Sequence, residues 1–594
     1  MFCMSFLFLC VYCSLVHCVI FFSDRYDGYT VASFCIGIVQ MQGFQEEQCT
    51  SAHIGHLGLV ADKIDSLGLT ALIDQRLPVS EAHGALVSHG ERVAAMIYNG
   101  LGFIDSRLYL FTDFLEDKPL DLLFGRDVKA EWFNDDALGR CLDEIAAYGP
   151  TKFLTELSLT IGERRGLIGK SINIDTTTLS LYGEYPDTAN QGEEEGQASI
   201  PRPERGYAKS KRHDLKQMVL LLATTGASNF PIWMEPHSGN ASDQKTMPNA
   251  AMKIKKLREG IASSSEFIYV GDSAIYSNIL QYSDELSWIT RVPERYKEAK
   301  ELVSTPKEDL EWTSLENGYQ YSASTSNNGG VDQRWILFFS EAAYQKECKT
   351  LDRNIKTETK NQEKAWKKLS KHVFGCKDDA LSSIKELEKK LKYHSVKTKI
   401  IEVTQHARPG RPKANEEPTV VGYQVEYTLS TDDEKIATIR AKKGRFILAT
   451  NELDEAALPC GEVLKEYKAQ SGTESGFKFI KDDTFQVDSV FLKTPERINA
   501  LMAVMTLCLM IYGVTQHDLR QSLQEKGETV LNQSKKPTDK PSLKWIYFLF
   551  RVVNESKICI DGKIKKIIVN VDGRLKKILK HFGKRAQAIY FNTS

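Results

Sequence analysis

Apolar positions along the chain change their period several times. Between Leu57 and Gly166 they recur at helical spacing: Leu57, Leu59, Val60, Ile64, Leu67 and Leu69, then Val93, Met96, Ile97 and Leu101, with further helices over 135–148 and 150–161. From 171 to 293 the pattern becomes mixed. Thr-rich Ile172–Tyr182, then Gln217–Thr225, Pro231–Pro236, Phe267–Gly271 and Ser287–Val292 read as strands. A helix over Asp243–Arg258, capped by Ser242 or Asp243, separates the third from the fourth. Residues 341–395 are heavily charged but keep Leu351, Ile355, Trp366, Leu369, Ile384, Leu387 and Leu391 at helical intervals, which predicts a helical hairpin. Strand-like runs follow at 399–403, 419–429, 436–439 and 444–450. Helix returns over Glu462–Lys481, where Gly472 and Gly476 each weaken it by about 1 kcal/mol against Ala. Pro495–Val514 is a strongly apolar helix expected to pack on the core; Glu496, Arg497 and Asn499 punctuate it too early for a membrane span.

Three consecutive strands, a helix, a strand, a helix and a strand follow the order of a ribonuclease-H-like core. The expected fold class is therefore α/β. Such a core, over 167–299 and 444–521, is interrupted by a mixed helical and β insertion over 300–443. A helical domain over 41–166 precedes it, either a bundle with no chemistry of its own or a DNA-binding domain. A Lys/Pro-rich linker and a small basic C-terminal domain over 522–594 follow. The loop after the first strand carries Gln191-Gly-Glu-Glu-Glu-Gly-Gln197, a polar stretch with nothing to bury.

Composition narrows the picture. The 594 residues, 42% hydrophobic and 26% charged, are ordinary for a multidomain globular chain. A net charge of −1 excludes a global field that draws polyanions, so any nucleic-acid surface must be a local patch. Of twelve cysteines, six lie in the first fifty residues and the rest are scattered without paired spacing, which fits reduced thiols in the cytoplasm. Cys10-x-x-Cys13 has a metal or redox spacing but no partner pair. Met1–Phe22 carries no Lys, Arg, Asp or Glu, so length and apolarity make it a membrane-segment candidate, yet it lacks a basic leader. Composition changes abruptly at Met41, which reads as the start of the protein, with 1–40 an out-of-place segment and no membrane partner.

Candidate chemistry rests on three carboxylates in unlike settings. Asp175 follows the apolar run Ser171–Ile174, Asp272 ends Phe267–Gly271, and Glu474 lies on the 462–481 helix. Two acids at the ends of buried strands and one on a helix can converge. Hard oxygen ligands suit Mg²⁺, and two such ions together support in-line attack on a phosphodiester.

The surroundings of Glu474 are more specific. Tyr467, Gln470, Glu474 and Lys481 fall at spacings of 3, 4 and 7, one stripe of a helix. The pattern resembles the Tyr-x₂-Arg-x₃-Glu-x₆-Lys motif of DDE transposases of bacterial insertion sequences, with Gln470 where that family has Arg. Ile174-Asp175-Thr-Thr-Thr and Gly271-Asp272-Ser-Ala-Ile-Tyr276 resemble its two Asp strands, and segments 207–217 and 237–240 resemble flanking stretches. The resemblance implies that Asp175, Asp272 and Glu474 are catalytic and bind two Mg²⁺ ions, with Mn²⁺ as a substitute. It implies double-stranded DNA as partner, both the element's terminal inverted repeats and the target, and a dimer in the active complex. Lys481 and Lys478 would contact phosphates near the cut, and Tyr467 would pack on the processed end. Gln470 removes a bidentate phosphate donor, with Lys468 as a nearby substitute. The alternative is a catalytically inactive DNA-binding relic. The expected location is cytoplasmic, associated with DNA.

Smaller signals remain. Arg408-Pro-Gly-Arg411-Pro-Lys resembles an AT-hook for the minor groove of A·T-rich DNA. In the basic end domain Lys576, Lys577 and Lys580 are candidates for phosphate contact. His53-Ile-Gly-His56 spells a nucleotide-binding tetrapeptide of class I aminoacyl-tRNA synthetases, but the polar stretch before it supplies no buried strand to place it over ATP.

Overall fold

The computed structural model describes residues 20–26, 29–35, 49–79, 85–102, 111–182, 185, 200–206, 212, 214–259, 267–405, 419–481, 492–560 and 563–591. Cys10, Cys13, Arg408, Arg411 and the 191–197 loop lie outside them. Ile20–Tyr26 (β1) and Tyr29–Cys35 (β2) pair as an antiparallel hairpin. The chain divides into two units.

The first unit gathers described residues of 1–66, 109–134 and 519–594. Strand Cys49–His53 (β3) pairs with Asn554–Ile560, which pairs with Lys563–Val569. Asp62 accepts from the backbone N–H of Gly583 (3.1 Å) and Ala586 (3.1 Å), fixing the start of helix Lys584–Phe591. Gly58 is needed where it stands, because a Cβ there would lie 2.8 Å from the Tyr590 ring. Residues at both ends of the sequence thus build one small unit. The His-Ile-Gly-His run is consumed in it. His53 Nδ1 bonds Asn554 Oδ1 at 2.9 Å, and His56 is buried and stacked on Tyr547 at 4.2 Å. Neither ring is presented to a nucleotide.

The second unit, residues 67–108 and 135–518, takes most of the helices expected in an N-terminal domain, including His89–Leu101, Asp135–Tyr148 and Pro150–Arg165. Ser88 opens the first of these with a reciprocal capping box to Glu91. The unit is built on a nine-stranded mixed sheet. Its strands in chain order are Ser171–Leu181 (β4), Lys216–Thr225 (β5), Phe230–Ser238 (β6), Ile268–Gly271 (β7), Ser287–Arg291 (β8), Thr313–Ser314 (β9), Tyr319–Asn328 (β10) and Val331–Ser340 (β11), and later Arg445–Thr450. The spatial order begins β6-β5-β4-β7-β8, with β4, β7 and β8 parallel and the first two pairings antiparallel. The Arg445–Thr450 strand then adds antiparallel to β8, followed by β11, β10 and β9. Residues 313–340, expected in the insertion, are therefore strands of the large sheet. They lengthen it because Trp335, Ile336, Leu337 and Phe338 need a buried neighbour on both faces.

What projects from the sheet is the stretch 341–441. Helices Glu341–Ser370 and Lys377–Glu388 pack on a ribbon of His394–Gln405 (β12) and Thr419–Thr431 (β13) around Trp366, Phe374, Ala380, Ile384 and Val425. The run 436–439, expected as a strand, is helix Asp433–Ala441. Asp432 caps it by accepting from Lys435 N–H, and Asp433 and Glu434 in its first turn favour the same outcome. Residues 445–450 are the sixth strand of the large sheet by position, β14.

A buried polar latch holds this projecting module. Glu358 Oε1 accepts from the N–H groups of Lys392 (2.8 Å) and Tyr393 (2.9 Å) and lies 3.2 Å from His394 Nδ1. Burial alone would raise this carboxyl, but the hydrogen bonds from Tyr393, Lys392 and His394 outweigh it and hold it below the usual range. A depressed folded-state pKa stabilises above the unfolded value of about 4.3, and that contribution is lost as pH falls through the folded value. Glu358→Gln is expected to cost about 1–3 kcal/mol at neutral pH and to flatten the acid limb of stability. Urea denaturation at pH 7 and pH 3.5 measures both; an equal loss at the two pH values would contradict it.

Helix Pro495–Glu525 is long and apolar enough to cross a membrane by composition, yet 83% of its most apolar window is buried inside the protein. It is a core helix, as its punctuated start suggested.

Candidate active site

The sheet register brings two of the acids together. In the parallel ladder Asn173 of β4 stands opposite Val270 of β7, and their pairing stops there. Asp175 and Asp272 each lie two residues further on. Asp272 lies just past the end of β7, whereas Asp175, expected at a strand end, lies inside β4; the register of the ladder carries the two to the same level. β4 runs on to Leu181 without β7 beside it. Both acids are half-buried and backbone-fixed: Asp175 Oδ1 accepts from Thr176 N–H (2.7 Å) and Asp272 Oδ1 from Ala274 N–H (2.8 Å). Thr290 of β8 donates to the Asp272 carbonyl at 2.7 Å, tying the strand end down.

The third acid arrives on a separate helix lying over the same face. Thr224 of β5 stands opposite Asn173, so Thr224, Asn173 and Asp175 share a face. The Thr224 and Thr473 hydroxyls bond at 2.6 Å in a buried setting, which docks helix Ser471–Ile480 there. Glu474, the next residue, is exposed. The preceding helix, Cys460–Ala469, lays Val463 and Leu464 onto Val270 and Ile289, with Tyr467 at the margin of that cluster. Ser171 Oγ bonds Glu466 at the start of β4.

The structure breaks the expected single 462–481 helix at Gln470. Gln470 N–H bonds back to Tyr467 and Thr473 N–H to Gln470, tight i→i−3 closures that make a joint. The Ser471-Gly472 pair beyond it has little helical preference of its own. Gly472 has a packing reason as well: a Cβ there would lie 1.7 Å from Asn229 Oδ1, in the turn between β5 and β6. Gly476 faces Leu509 in the same way, at 3.0 Å.

This joint redistributes the stripe. Gln470 is 7% exposed and turned into the joint, so a direct DNA contact from it is not on offer in this conformation. Lys478 is exposed one turn after Glu474, and Lys481 is exposed just past the helix end. Lys468 is engaged elsewhere, 3.6 Å over the Tyr319 ring, and does not stand in for the missing Arg. Tyr467 is the residue that links the acids. Burial pushes its phenol up; Arg291 opposes this, and the Asp272 and Glu474 carboxylates add to it. Tyr467 thus senses one strand acid, the helix acid and a cation at once. Arg291, at the end of β8 and 5.8 Å from the Phe446 ring, is the site residue that sequence reasoning missed. The available signal was a lone Arg closing the apolar run Ser287-Trp-Ile-Thr-Arg291, next door to the Asp272 strand.

The donor set is all carboxylate oxygen, which fits a hard divalent cation. The buried Asn173 Oδ1, on the Asp175 face, has no hydrogen-bond partner among the described residues, a further oxygen facing that layer. Among the described residues no three His, Cys, Asp or Glu side chains are drawn together closely enough to hold an ion as they stand. The acids share a face without forming a closed cluster.

Lys576 and Lys577 lie in the other unit, exposed on helix Gly573–Leu579, whose Leu575, Ile578 and Leu579 are buried; Lys580 is exposed just after it.

The fold is a mixed α/β sheet that carries Asp175 within β4 and Asp272 just after β7, with Glu474 on a helix docked on β5. The particular family follows from comparison. A family model described as "Transposase DDE domain" matches residues 172–511, more than half of the chain, and the chain belongs to that family of DNA transposases. A second model, a domain of unknown function (DUF4277), matches residues 49–159. No curated protein matches. Among solved structures, a piggyBac transposase synaptic complex with hairpin DNA is similar at 12% identity and a TM-score of 0.32, over 84% of this chain and 79% of that one.

Proposed function

We propose that Asp175, Asp272 and Glu474 form the catalytic centre of an insertion-sequence transposase that cuts duplex DNA at the element's terminal inverted repeats and joins the ends to target DNA. The observation that carries this reading is the register that carries Asp175 of β4 level with Asp272, just after β7, with Tyr467 within electrostatic reach of Asp272 and Glu474. The three carboxylates would hold two Mg²⁺ ions, or Mn²⁺ in their place, which when bound supply an activated nucleophile and charge stabilisation at the phosphodiester.

The chain's own residues do the positioning. Asp175 and Asp272 are held by backbone N–H groups of Thr176 and Ala274, so little reorganisation is needed when they bind an ion. Glu474 rides on a helix docked through Thr473 and Gly472, which sets its height over the sheet. Lys478 and Lys481 receive the phosphates on either side of the cut. Arg291, within electrostatic reach of Tyr467 and 4.0 Å from Glu294, supplies the cation that Gln470 does not. Tyr467 supports the processed end against the Val270 and Ile289 layer. Strands β4 to β8 are read as a ribonuclease-H-like core and 341–441 as the module inserted into it. Lys576 and Lys577 add phosphate contacts, Arg408 and Arg411 follow the minor groove of A·T-rich DNA, and the active complex is a dimer on paired ends. The protein acts in the cytoplasm, bound to DNA.

The test is nicking and joining of a duplex carrying the inverted repeats that flank the gene. Mg²⁺-dependent nicking at the repeat end followed by joining to a second duplex is expected. Nicking without joining would leave a plain nuclease, and binding without nicking a relic. Lys576→Gln/Lys577→Gln is expected to lower the salt dependence of binding by about two phosphate contacts, uniformly across sequences; titration at several salt concentrations reads this.

A further inference from the structure

The long helix Glu341–Ser370 has a face that the proposed catalytic centre does not use. Lys349, Arg353, Lys356, Lys360, Lys364 and Lys367 follow one another at spacings of three and four, so they form one stripe. Lys346 begins the stripe and Lys371, at the helix cap, ends it. Every one of these cations is exposed, and none has an ion-pair partner among the described residues. The stripe lies opposite the buried side of the helix, where Cys348, Leu351, Gln362 and Trp366 pack.

The distribution of acids makes this more than a solvated surface. A solvated helix gains from alternating charges at i and i+4, whereas like charges at those spacings destabilise it. Here the helix's acids are drawn to the flanks and used inward. Glu347 pairs with Lys443 at 3.7 Å, Asp352 with Arg440 at 2.7 Å, and Glu358 with His394 and the start of β12. Glu363 lies exposed at the margin of the stripe, and Glu341, exposed in the first turn, accepts from Gln345 at 3.0 Å. The cations are left facing one another. A shallow hollow of about 390 Å³ along the first turns, bounded by Gln345, Lys346, Lys349, Thr350 and Arg353, adds polar donors beside them.

We propose that this face docks the sugar-phosphate backbone of duplex DNA. The inference rests on the chain acting on DNA and gives the projecting module a share in holding it. From Lys346 to Lys371 the helix rises about 37 Å, close to one turn of B-form DNA at roughly 34–36 Å. The stripe therefore spans a turn of backbone. It holds no acid to read cytosine and no aromatic to stack, so its contact is with phosphates and is independent of base sequence.

The experiment uses the full chain and compares it with Lys349→Gln/Arg353→Gln/Lys356→Gln/Lys360→Gln. Duplex binding is measured by fluorescence anisotropy from low to physiological salt, on repeat-end and unrelated sequences. The slope of log K against log salt is expected to shrink by about 3–4, and affinity to fall at least roughly ten-fold on every sequence. The four side chains are exposed and unpaired, so the thermal midpoint stays the same or rises. Wild-type binding with an unchanged slope in the variant overturns the stripe alone. Absence of duplex binding by the wild type at low salt overturns DNA as the partner, and the transposase reading with it. Unchanged DNA binding together with loss of self-association in sedimentation would assign the face to an acidic surface on a second copy, and overturns the proposal too.

Discussion

Asp272→Asn is expected to slow cleavage of a repeat-end duplex by about 10²–10³-fold, the scale of removing one preorganised group that stabilises charge in a transition state. Asp175→Asn and Glu474→Gln should do the same. These amides are chosen because they spare the fold. Asn at 272 keeps the Oδ1 acceptor for Ala274 N–H, and Asn at 175 keeps the one for Thr176 N–H. Glu474 is exposed, so its amide buries nothing. Melting temperatures should therefore move little, by less than about 1 kcal/mol of stability, while single-turnover cleavage collapses. Duplex binding in the absence of divalent ions should survive or tighten, because a negative charge beside the phosphates has gone. Wild-type cleavage by Asp272→Asn would remove that residue from the centre. Equal losses of cleavage and stability would make its role structural.

Gly472→Ala should act on the same centre from outside it. The new methyl would meet Asn229 Oδ1 at 1.7 Å and its Cγ at 2.0 Å, so the amide or the helix has to shift. Asn229 sits at a positive φ of 52° in the β5–β6 turn, and Gly472 is in the first turn of a helix docked through Thr473. Overpacking of this kind costs about 1–3 kcal/mol. Where the helix gives way it lifts or rotates and Glu474 moves with it, so cleavage is expected to fall along with stability. Asn229→Gly removes the obstructing side chain and tolerates the left-handed backbone. The double variant Gly472→Ala/Asn229→Gly should recover most of the lost stability and activity, a strongly non-additive cycle. Purely additive losses would show that the contact does not set the helix position. Gly476→Ala, facing the flexible end of Leu509, should be much milder.

The physical meaning of the glycines illustrates how far local reasoning reaches. From the sequence, Gly472 and Gly476 are helix weaknesses of about 1 kcal/mol each. In the fold they are close-approach positions, and their cost in propensity permits the packing that places Glu474. Gln470 changes in the opposite sense. At helical spacing it is a surface residue in line with Glu474; in the fold it is the buried joint between two helices, and the cation near Tyr467 comes from Arg291 on a strand nearly two hundred residues earlier in the chain. A one-dimensional period assumes an unbroken helix, and an i→i−3 closure is invisible to it.

The strand pattern carried more. The five strands from 171 to 291, their helix at 243–259 and the acids at 175 and 272 were all legible, because period-2 burial and apolar runs are local properties. The match of Tyr467, Glu474 and Lys481 to a family motif was also local. Boundaries between modules were not. Residues 313–340 alternate like an independent hairpin, and only their pairing through the Arg445–Thr450 strand makes them part of the large sheet. Strand β3 likewise finds its partner five hundred residues away, at Asn554–Ile560, since hydrogen bonds between strands leave no trace in either sequence alone.

The sequence by itself therefore determined the order of the core elements and marked out the three acids as candidates beside a motif that resembles the family's, because each depends on near neighbours. Tertiary structure alone decided that Asp175 and Asp272 are level, that Glu474 stands over their face through Thr224 and Gly472, that Gln470 is inside and Arg291 beside Tyr467, and that the cations of helix 341–370 are left without partners. Register, docking and charge pairing are relations between distant segments, and they exist only once the chain has brought those segments together.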